Sequence, residues 1–297
     1  MTTVSNSKTT SGGRKPLIVI VGETGSGKSA LAMNLAETLG GEIIAADSRT
    51  IYKGMDIGTA KPTKQEQKHV RHHLLDVVVP GQPFSAADFK RLAEMAVVDI
   101  RGRDKQAIMV GGTGLYVDAI VFDYQFRTKY DAKIRQTLSS KTLDELIKLA
   151  LEQGFKPEQI DKNRRYLIRL LEAGPSRTSD RDQVIQNTVI VGLKPSRAQL
   201  RQNIVGRVEQ MFRRGLRREV DELVNTYGWE NEAMSGIGYR EFEDYYYRRA
   251  SIGQVKREIV QHTLELAKRQ RTWFKRNPAI RWFDDSLEAR RFILSQV

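Results

Sequence analysis

Residues 22–29 read Gly22, Glu23, Thr24, Gly25, Ser26, Gly27, Lys28 and Ser29, the G-x-x-x-x-G-K-[ST] spacing of a phosphate-gripping loop. The chemistry that this spacing supports is anion binding. Glycines let the backbone curl with its N–H groups inward, and a helix opening at Lys28 adds the positive end of its dipole. The Lys28 ammonium then meets terminal phosphate oxygens, and the Ser29 hydroxyl is placed to ligate Mg²⁺. Such a loop says that a phosphate is held, not what becomes of it. Nucleotide hydrolysis asks for a second acid at a strand end and a group that orients water. Asp47, in the string Asp47-Ser48-Arg49-Thr50-Ile51-Tyr52, is the well-placed acid. Two roles suit it equally: a helix N-cap, and a carboxylate at the carboxyl edge of a parallel sheet, where ligands bind.

The elements that must position these groups follow from the hydrophobic pattern. The β-branched run at 17–21 predicts a buried strand ending at Gly22, and 29–39 carries a helical apolar face stopped by Gly40 and Gly41. A second strand is expected at 42–46 and a third at 106–110. Between them, a helix is expected over 85–101, with Ser85 and Asp88 spaced as a capping box. After Phe122 the texture turns helical and charged, and 188–193 reads as strand again. Long helices are expected from Ser196 and over about 253–276, with a last strand at 280–283. The fold class expected is α/β, a P-loop NTPase-like parallel sheet flanked by helices, with a helical insertion. Residues 16–122 and 186–297 would form the core and 123–185 the insertion domain.

The chain has no cysteine, which excludes disulfides, thiolate metal sites and cysteine nucleophiles. Residues 1–15 lack the apolar run of a signal peptide and read as a flexible tail, so a cytoplasmic address without membrane contact is expected. The net charge of +13 is uneven: residues 1–125 hold 15 Lys/Arg against 13 Asp/Glu, and residues 126–297 hold 34 against 23. A near-neutral first half and a basic second half suit small-molecule chemistry beside a polyanion partner; solvated helices suit the charge as well. His72 and His73 lack ligand-spaced companions and read as packing or hydrogen-bonding groups, and Tyr245-Tyr246-Tyr247 as a helix face.

Several further strings stand in order: Gly54-Met55-Asp56-Ile57-Gly58-Thr59-Ala60-Lys61-Pro62, His72-His73-Leu74-Leu75-Asp76, Gly111-Gly112-Thr113-Gly114-Leu115-Tyr116, Gly236-Ile237-Gly238-Tyr239-Arg240-Glu241 and Ala267-Lys268-Arg269-Gln270-Arg271-Thr272-Trp273-Phe274. Together with the P-loop and the Asp47 string, they closely resemble the tRNA dimethylallyltransferases, also called tRNA isopentenyltransferases, from about Pro16 to Phe283. The resemblance implies transfer of a dimethylallyl group from dimethylallyl diphosphate to N6 of the adenosine just 3′ of the tRNA anticodon, position 37. In that family the P-loop holds the donor diphosphate instead of ATP, and Mg²⁺ is the cofactor.

Carried onto this sequence, the resemblance makes Asp47 the general base, Thr24 a residue near the donor oxygens and Arg207 a diphosphate contact. The diphosphate site would comprise Gly22, Thr24, Gly25, Ser26, Gly27, Lys28, Ser29 and Arg207, with Ser29 on the metal. Asp47, Ser48, Arg49, Thr50 and Thr113 would approach the tRNA from the core, and Arg135, Arg165 and Arg169 from the insertion. Gly238, Tyr239, Arg240, Lys268, Arg269, Gln270 and Trp273 match further tRNA-contacting positions, with Tyr239 and Trp273 as stacking platforms; for Trp273 a core role competes. The partners implied are the anticodon stem-loop and the prenyl donor, and a monomer suffices. Four departures stand out: Glu23 where the family usually has Pro, Gly25 where it has Ala, Thr50 where it often has Gln, and Tyr166 where it has Arg. The competing readings are a P-loop kinase for a small nucleotide or metabolite, an adenylate isopentenyltransferase acting on free nucleotides, and an RNA-binding P-loop NTPase. They leave the basic second half, the shared strings or the missing water-positioning group unexplained.

Overall fold

Strand β1 (Leu17–Gly22) is buried at every residue, as an apolar run covered on both faces must be. It lies inside a six-stranded sheet with β2 (Glu42–Ala45), β3 (His72–His73), β4 (Ala107–Gly111), β5 (Thr188–Leu193) and β6 (Arg281–Phe283). Every pairing is parallel and the order is β3-β2-β4-β1-β5-β6. The computed structural model describes residues 15–126, 132–157, 160, 163–173 and 184–297; side chains at 132, 133, 165, 169 and 173 are outside that set. The tail expected at 1–15 lies outside the described residues except for Lys15.

Helices α1 (Lys28–Leu39), α2 (Lys64–His69), α3 (Ala86–Gly102) and α4 (Gly114–Val121) alternate with the first four strands. The capping box at the start of α3 forms: Ser85 and Asp88 each bond the other's backbone N–H. Helices α5 (Ala132–Ser139), α6 (Leu143–Glu152) and α7 (Arg164–Ala173) come next, then α8 (Arg197–Arg213), α9 (Leu216–Tyr227), α10 (Glu243–Tyr246), α11 (Ile252–Phe274) and α12 (Ser286–Leu294). The described residues of Met1–Asp123 and Val184–Val297 form one compact unit, and those of Tyr124–Gln183 form another.

In the larger unit, alternate β1 residues feed two cores. Leu17, Val19 and Val21 pack with Phe89, Val117 and Phe274, whereas Ile18 and Ile20 pack with Leu31, Leu35 and Ile293. A third cluster joins Ile51 and Met55 to Val220, Tyr239, Phe242 and Ile259. The smaller unit has its own apolar cluster, with Leu146, Phe155, Leu167 and Leu171 at its centre.

Strand β3 and helices α2, α4 and α12 go beyond the elements expected from sequence. The two residues of β3 are too short to show a period, and their side chains serve polar partners. His73 Nε2 lies 2.7 Å from Glu42 Oε2. The Glu42 side chain is 1% exposed and also accepts from both terminal nitrogens of Arg103 and from Lys105 Nζ at 2.8 Å. Arg103 above all, then Lys105 and His73, hold this carboxyl well below the usual carboxylate range. A depressed folded-state value means stability present at neutral pH and lost as pH falls below the unfolded carboxylate range. We expect Glu42→Gln to lower unfolding free energy by about 2–4 kcal/mol at pH 7. Urea melts at pH 7 and pH 4 should show a smaller difference in the variant than in the parent.

Candidate active site at the carboxyl edge of the sheet

The loop after β1 takes the shape that its glycines require. Gly25 has φ 82° and Gly27 φ 90°, left-handed values that a side chain would strain. Gly27 occupies the cap position of α1 without a side-chain cap, and the first turn of α1 holds no acid. The helix therefore starts with N–H groups available to an anion and a dipole that favours one. Lys28 Nζ donates to the Glu23 carbonyl at 3.2 Å, bending back over the loop. Burial, with Arg207 adding, pushes the Lys28 ammonium down to about 8, while Asp47 and Glu23 pull the other way.

Helix α8 supplies the second cation. Arg207 Nη1 donates to Thr24 Oγ1 at 3.0 Å, and burial lowers its pKa from the ordinary guanidinium value, opposed by Asp47. One turn earlier, Asn203 Nδ2 donates to the Gly25 carbonyl at 2.9 Å. Asn203 was not anticipated from the sequence, although its i, i+4 spacing to Arg207 puts both on one helix face.

Asp47 follows β2, two strands from β1, and its Oδ1 accepts the Arg49 N–H at 2.8 Å. That turn fixes the carboxylate's direction. Thr113, following β4, accepts from Ser48 N–H at 3.0 Å and ties the two loops together. Arg49 reaches the other way, donating to the Glu232 carbonyl at 2.9 Å. A cavity of about 1670 Å³ opens here, lined by Thr24, Lys28, Ser29, Asp47, Thr113 and Arg207 among others. Single small ligands occupy pockets of about 300–1000 Å³, so the space exceeds what one of them needs.

The structure places the expected tRNA-contact residues in different settings, and burial overturns the stacking role expected of Tyr239. Tyr239 is fully buried: its ring packs against Gly58, where an added Cβ would come within 2.5 Å, and its hydroxyl donates to Glu219 Oε1 at 2.8 Å. It is a core residue and offers no stacking face. Gly238 is buried beside it, donating its N–H to Glu241 Oε2 at 2.8 Å, whereas Arg240 reaches the cavity wall. Gln270 straps loops together: its Oε1 accepts from Thr24 N–H at 2.7 Å and its Nε2 donates to the Gly112 carbonyl at 3.0 Å. Trp273 lines the cavity but is anchored, with Nε1 donating to Asp118 Oδ2 at 2.9 Å and its ring against Gly114, where a Cβ would come within 2.2 Å. The Arg276 guanidinium lies 5.7 Å from its ring centroid.

Ser48, Arg49, Thr50 and Arg269 line the cavity, and Thr50 Oγ1 is buried there without a partner among the described residues. Lys268 is exposed. In the smaller unit Arg135 forms a bidentate pair with Glu172, at 2.8 and 2.9 Å. The side chains of Arg165 and Arg169 lie outside the described residues, although both positions belong to α7.

For a metal, the wall near the loop offers hard oxygens from Ser29 and Asp47. That donor set is too sparse for an all-protein cage but fits Mg²⁺, which is commonly held through one or two side chains and the phosphates of a ligand. Among the described residues, the cluster with three possible ligand atoms is Glu42, His73 and Asp99. Arg103 and Lys105 already take its negative charge.

A family model described as IPP transferase matches residues 50–277. The chain is 38% identical over 283 residues to the tRNA dimethylallyltransferase of Geobacillus thermodenitrificans (strain NG80-2), covering 90% of each chain. It is 39% identical over 286 residues to that of Desulforudis audaxviator (strain MP104C), covering 91% of this chain and 92% of the relative. Among solved structures, it is similar to the full-length tRNA isopentenylpyrophosphate transferase from Bacillus halodurans, with TM-score 0.72 and 33% identity over 96% of this chain and 97% of that one. It is also similar to a eukaryotic dimethylallyltransferase captured acting on tRNA, with TM-score 0.75 and 28% identity over 88% of this chain and 70% of that one. The same loop, carboxylate and cavity are thus carried by a chain that belongs to the tRNA dimethylallyltransferase family of IPP transferases.

Proposed function

We propose that this protein transfers a dimethylallyl group from dimethylallyl diphosphate to N6 of adenosine 37 in a tRNA, releasing diphosphate. The observation that carries the reading is the convergence of Lys28, Arg207 and the uncapped start of α1 on the cavity that Asp47 also lines. An exocyclic adenine amine is a weak nucleophile because its lone pair is delocalised into the ring. The site therefore has to make the leaving group easy to expel. As the donor C–O bond breaks, its electron pair leaves on the diphosphate, where Lys28, Arg207 and the loop amides meet the growing charge. The nitrogen lone pair forms the C–N bond, and the N6 proton passes to the Asp47 carboxylate. Ser29 would hold Mg²⁺, which when bound adds positive charge beside the diphosphate oxygens. The large cavity suits a base that leaves its stack, which is easiest in an anticodon loop.

Among the described residues no helix is long and apolar enough to cross a membrane. We read the enzyme as a monomer that meets its tRNA in the cytoplasm. Residues 126–297, with their net charge of +11, supply the phosphate contacts. Filter binding of tRNA should weaken by about a hundredfold or more between roughly 50 and 200 mM salt. A flat salt response would return those charges to solvent. The function itself is tested by incubating the enzyme with radiolabelled dimethylallyl diphosphate and unmodified tRNA. Label should enter the tRNA with Mg²⁺ and not with EDTA.

A further inference from the structure

Glu23 is the one acid inside the phosphate-gripping loop, and it is 2% exposed. A carboxylate there should repel the anion that the loop is built to hold. The structure shows what answers it. Arg271, on α11, donates from Nη2 to Glu23 Oε2 at 2.7 Å, and its Nε lies 2.6 Å from Oε1. The Arg271 side chain is 19% exposed, so the pair is largely removed from water. Its immediate neighbours are fixed as well: Thr24 N–H is held by Gln270, and the Glu23 carbonyl by Lys28 Nζ. Helix α11 thus grips the back of the loop through two successive side chains.

We propose that Arg271 is a positioning residue for the diphosphate site, acting through Glu23: it cancels a buried negative charge that would otherwise oppose the anion, and it fixes the loop's outer turn. The inference rests on the loop holding a diphosphate, as proposed above. Its physical basis is the weak screening of a buried pair. Removing one partner leaves an uncompensated charge at the loop that would hold the anion, and the sign of that charge decides the effect on binding. The Glu23 carboxylate already acts on the Lys28 ammonium, raising its proton affinity. Arg271→Met therefore exposes the loop to a bare carboxylate, whereas Glu23→Gln leaves a bare guanidinium.

The test is calorimetric binding of Mg²⁺-diphosphate to the full chain and to Arg271→Met, Glu23→Gln, the double variant and Arg271→Lys. Thermal melts are recorded alongside. Both pair-breaking single variants should melt at lower temperature. On binding they should split, with Arg271→Met weakening Kd about tenfold and Glu23→Gln tightening it about threefold. The double variant should return to within about threefold of the parent, because neither charge remains. Arg271→Lys keeps the charge without the fork and should also stay within about threefold, which preserves the test if Arg271→Met fails to fold. A pair serving stability alone would make both single variants bind more weakly, and that result overturns the inference. If the parent itself does not bind diphosphate, the proposed donor site falls, and this inference with it.

Discussion

Asp47→Asn is expected to slow the chemical step by about 10²–10⁴-fold while changing tRNA affinity by less than about threefold. Asparagine keeps the shape of the side chain and an oxygen for the Arg49 N–H, the bond that now sets the carboxylate's direction at 2.8 Å. What it removes is the ability to accept the N6 proton as the C–N bond forms. Single-turnover rates with prebound tRNA, compared with filter-binding Kd values, separate the two effects. Equal losses in both would make Asp47 a turn-forming residue, the N-cap-like role that the sequence leaves open.

The second large effect is expected at Lys28. In the proposed reaction its ammonium is one of two cations that meet the leaving group, so Lys28→Met should lower the rate about 10²–10³-fold. The lowered pKa of about 8 gives this prediction a pH signature. In the free protein the lysine is charged below about pH 8 and neutral above it. Diphosphate affinity should therefore fall as pH rises through 8, and binding above that pH should take up a proton. Calorimetry in two buffers of different ionisation enthalpy measures that uptake, and Lys28→Met should abolish it. An unchanged proton balance in the variant would mean that the titrating group lies elsewhere.

The loop that would hold the donor was legible as a structure because its geometry is local. A strand, a glycine turn and a helix start lie within a few residues, so Lys28 and Ser29 could be placed from spacing alone. Asp47 was legible for a similar reason, since a parallel strand ends beside it. The contacts that brace the loop were not. Gln270 and Arg271 lie some 250 residues away from Thr24 and Glu23, and no periodicity links an acid in a loop to a cation on a distant helix. Tyr239 shows the opposite failure. An aromatic in an RNA-suited half suggests stacking, yet the open space at Gly58 admits its ring into the core and Glu219 satisfies its hydroxyl. Likewise, β3 carries no hydrophobic pattern, because its histidines meet polar partners: His73 bonds Glu42, and His72 bonds the Val70 carbonyl.

Glu23 joins these threads. In sequence it is an acid out of place in an anion-binding loop; in the structure it is half of a buried pair with Arg271. In the proposed site, the loop's affinity for phosphate would depend on α11 as well as on its own glycines and lysine. The same helix carries the exposed Lys268 and the cavity-lining Arg269. It meets the loop at residues 22–29 through Gln270 and Arg271 and the cavity through Arg269.

The most direct test of the central claim is a competition. The purified enzyme is given labelled dimethylallyl diphosphate and Mg²⁺ with equal concentrations of unmodified tRNA and of AMP, ADP and ATP. Label is expected on N6 of adenosine 37 in the tRNA, with the free nucleotides unmodified. Preferential prenylation of a free nucleotide, or transfer of the ATP γ-phosphoryl group with no prenyl transfer, would contradict it.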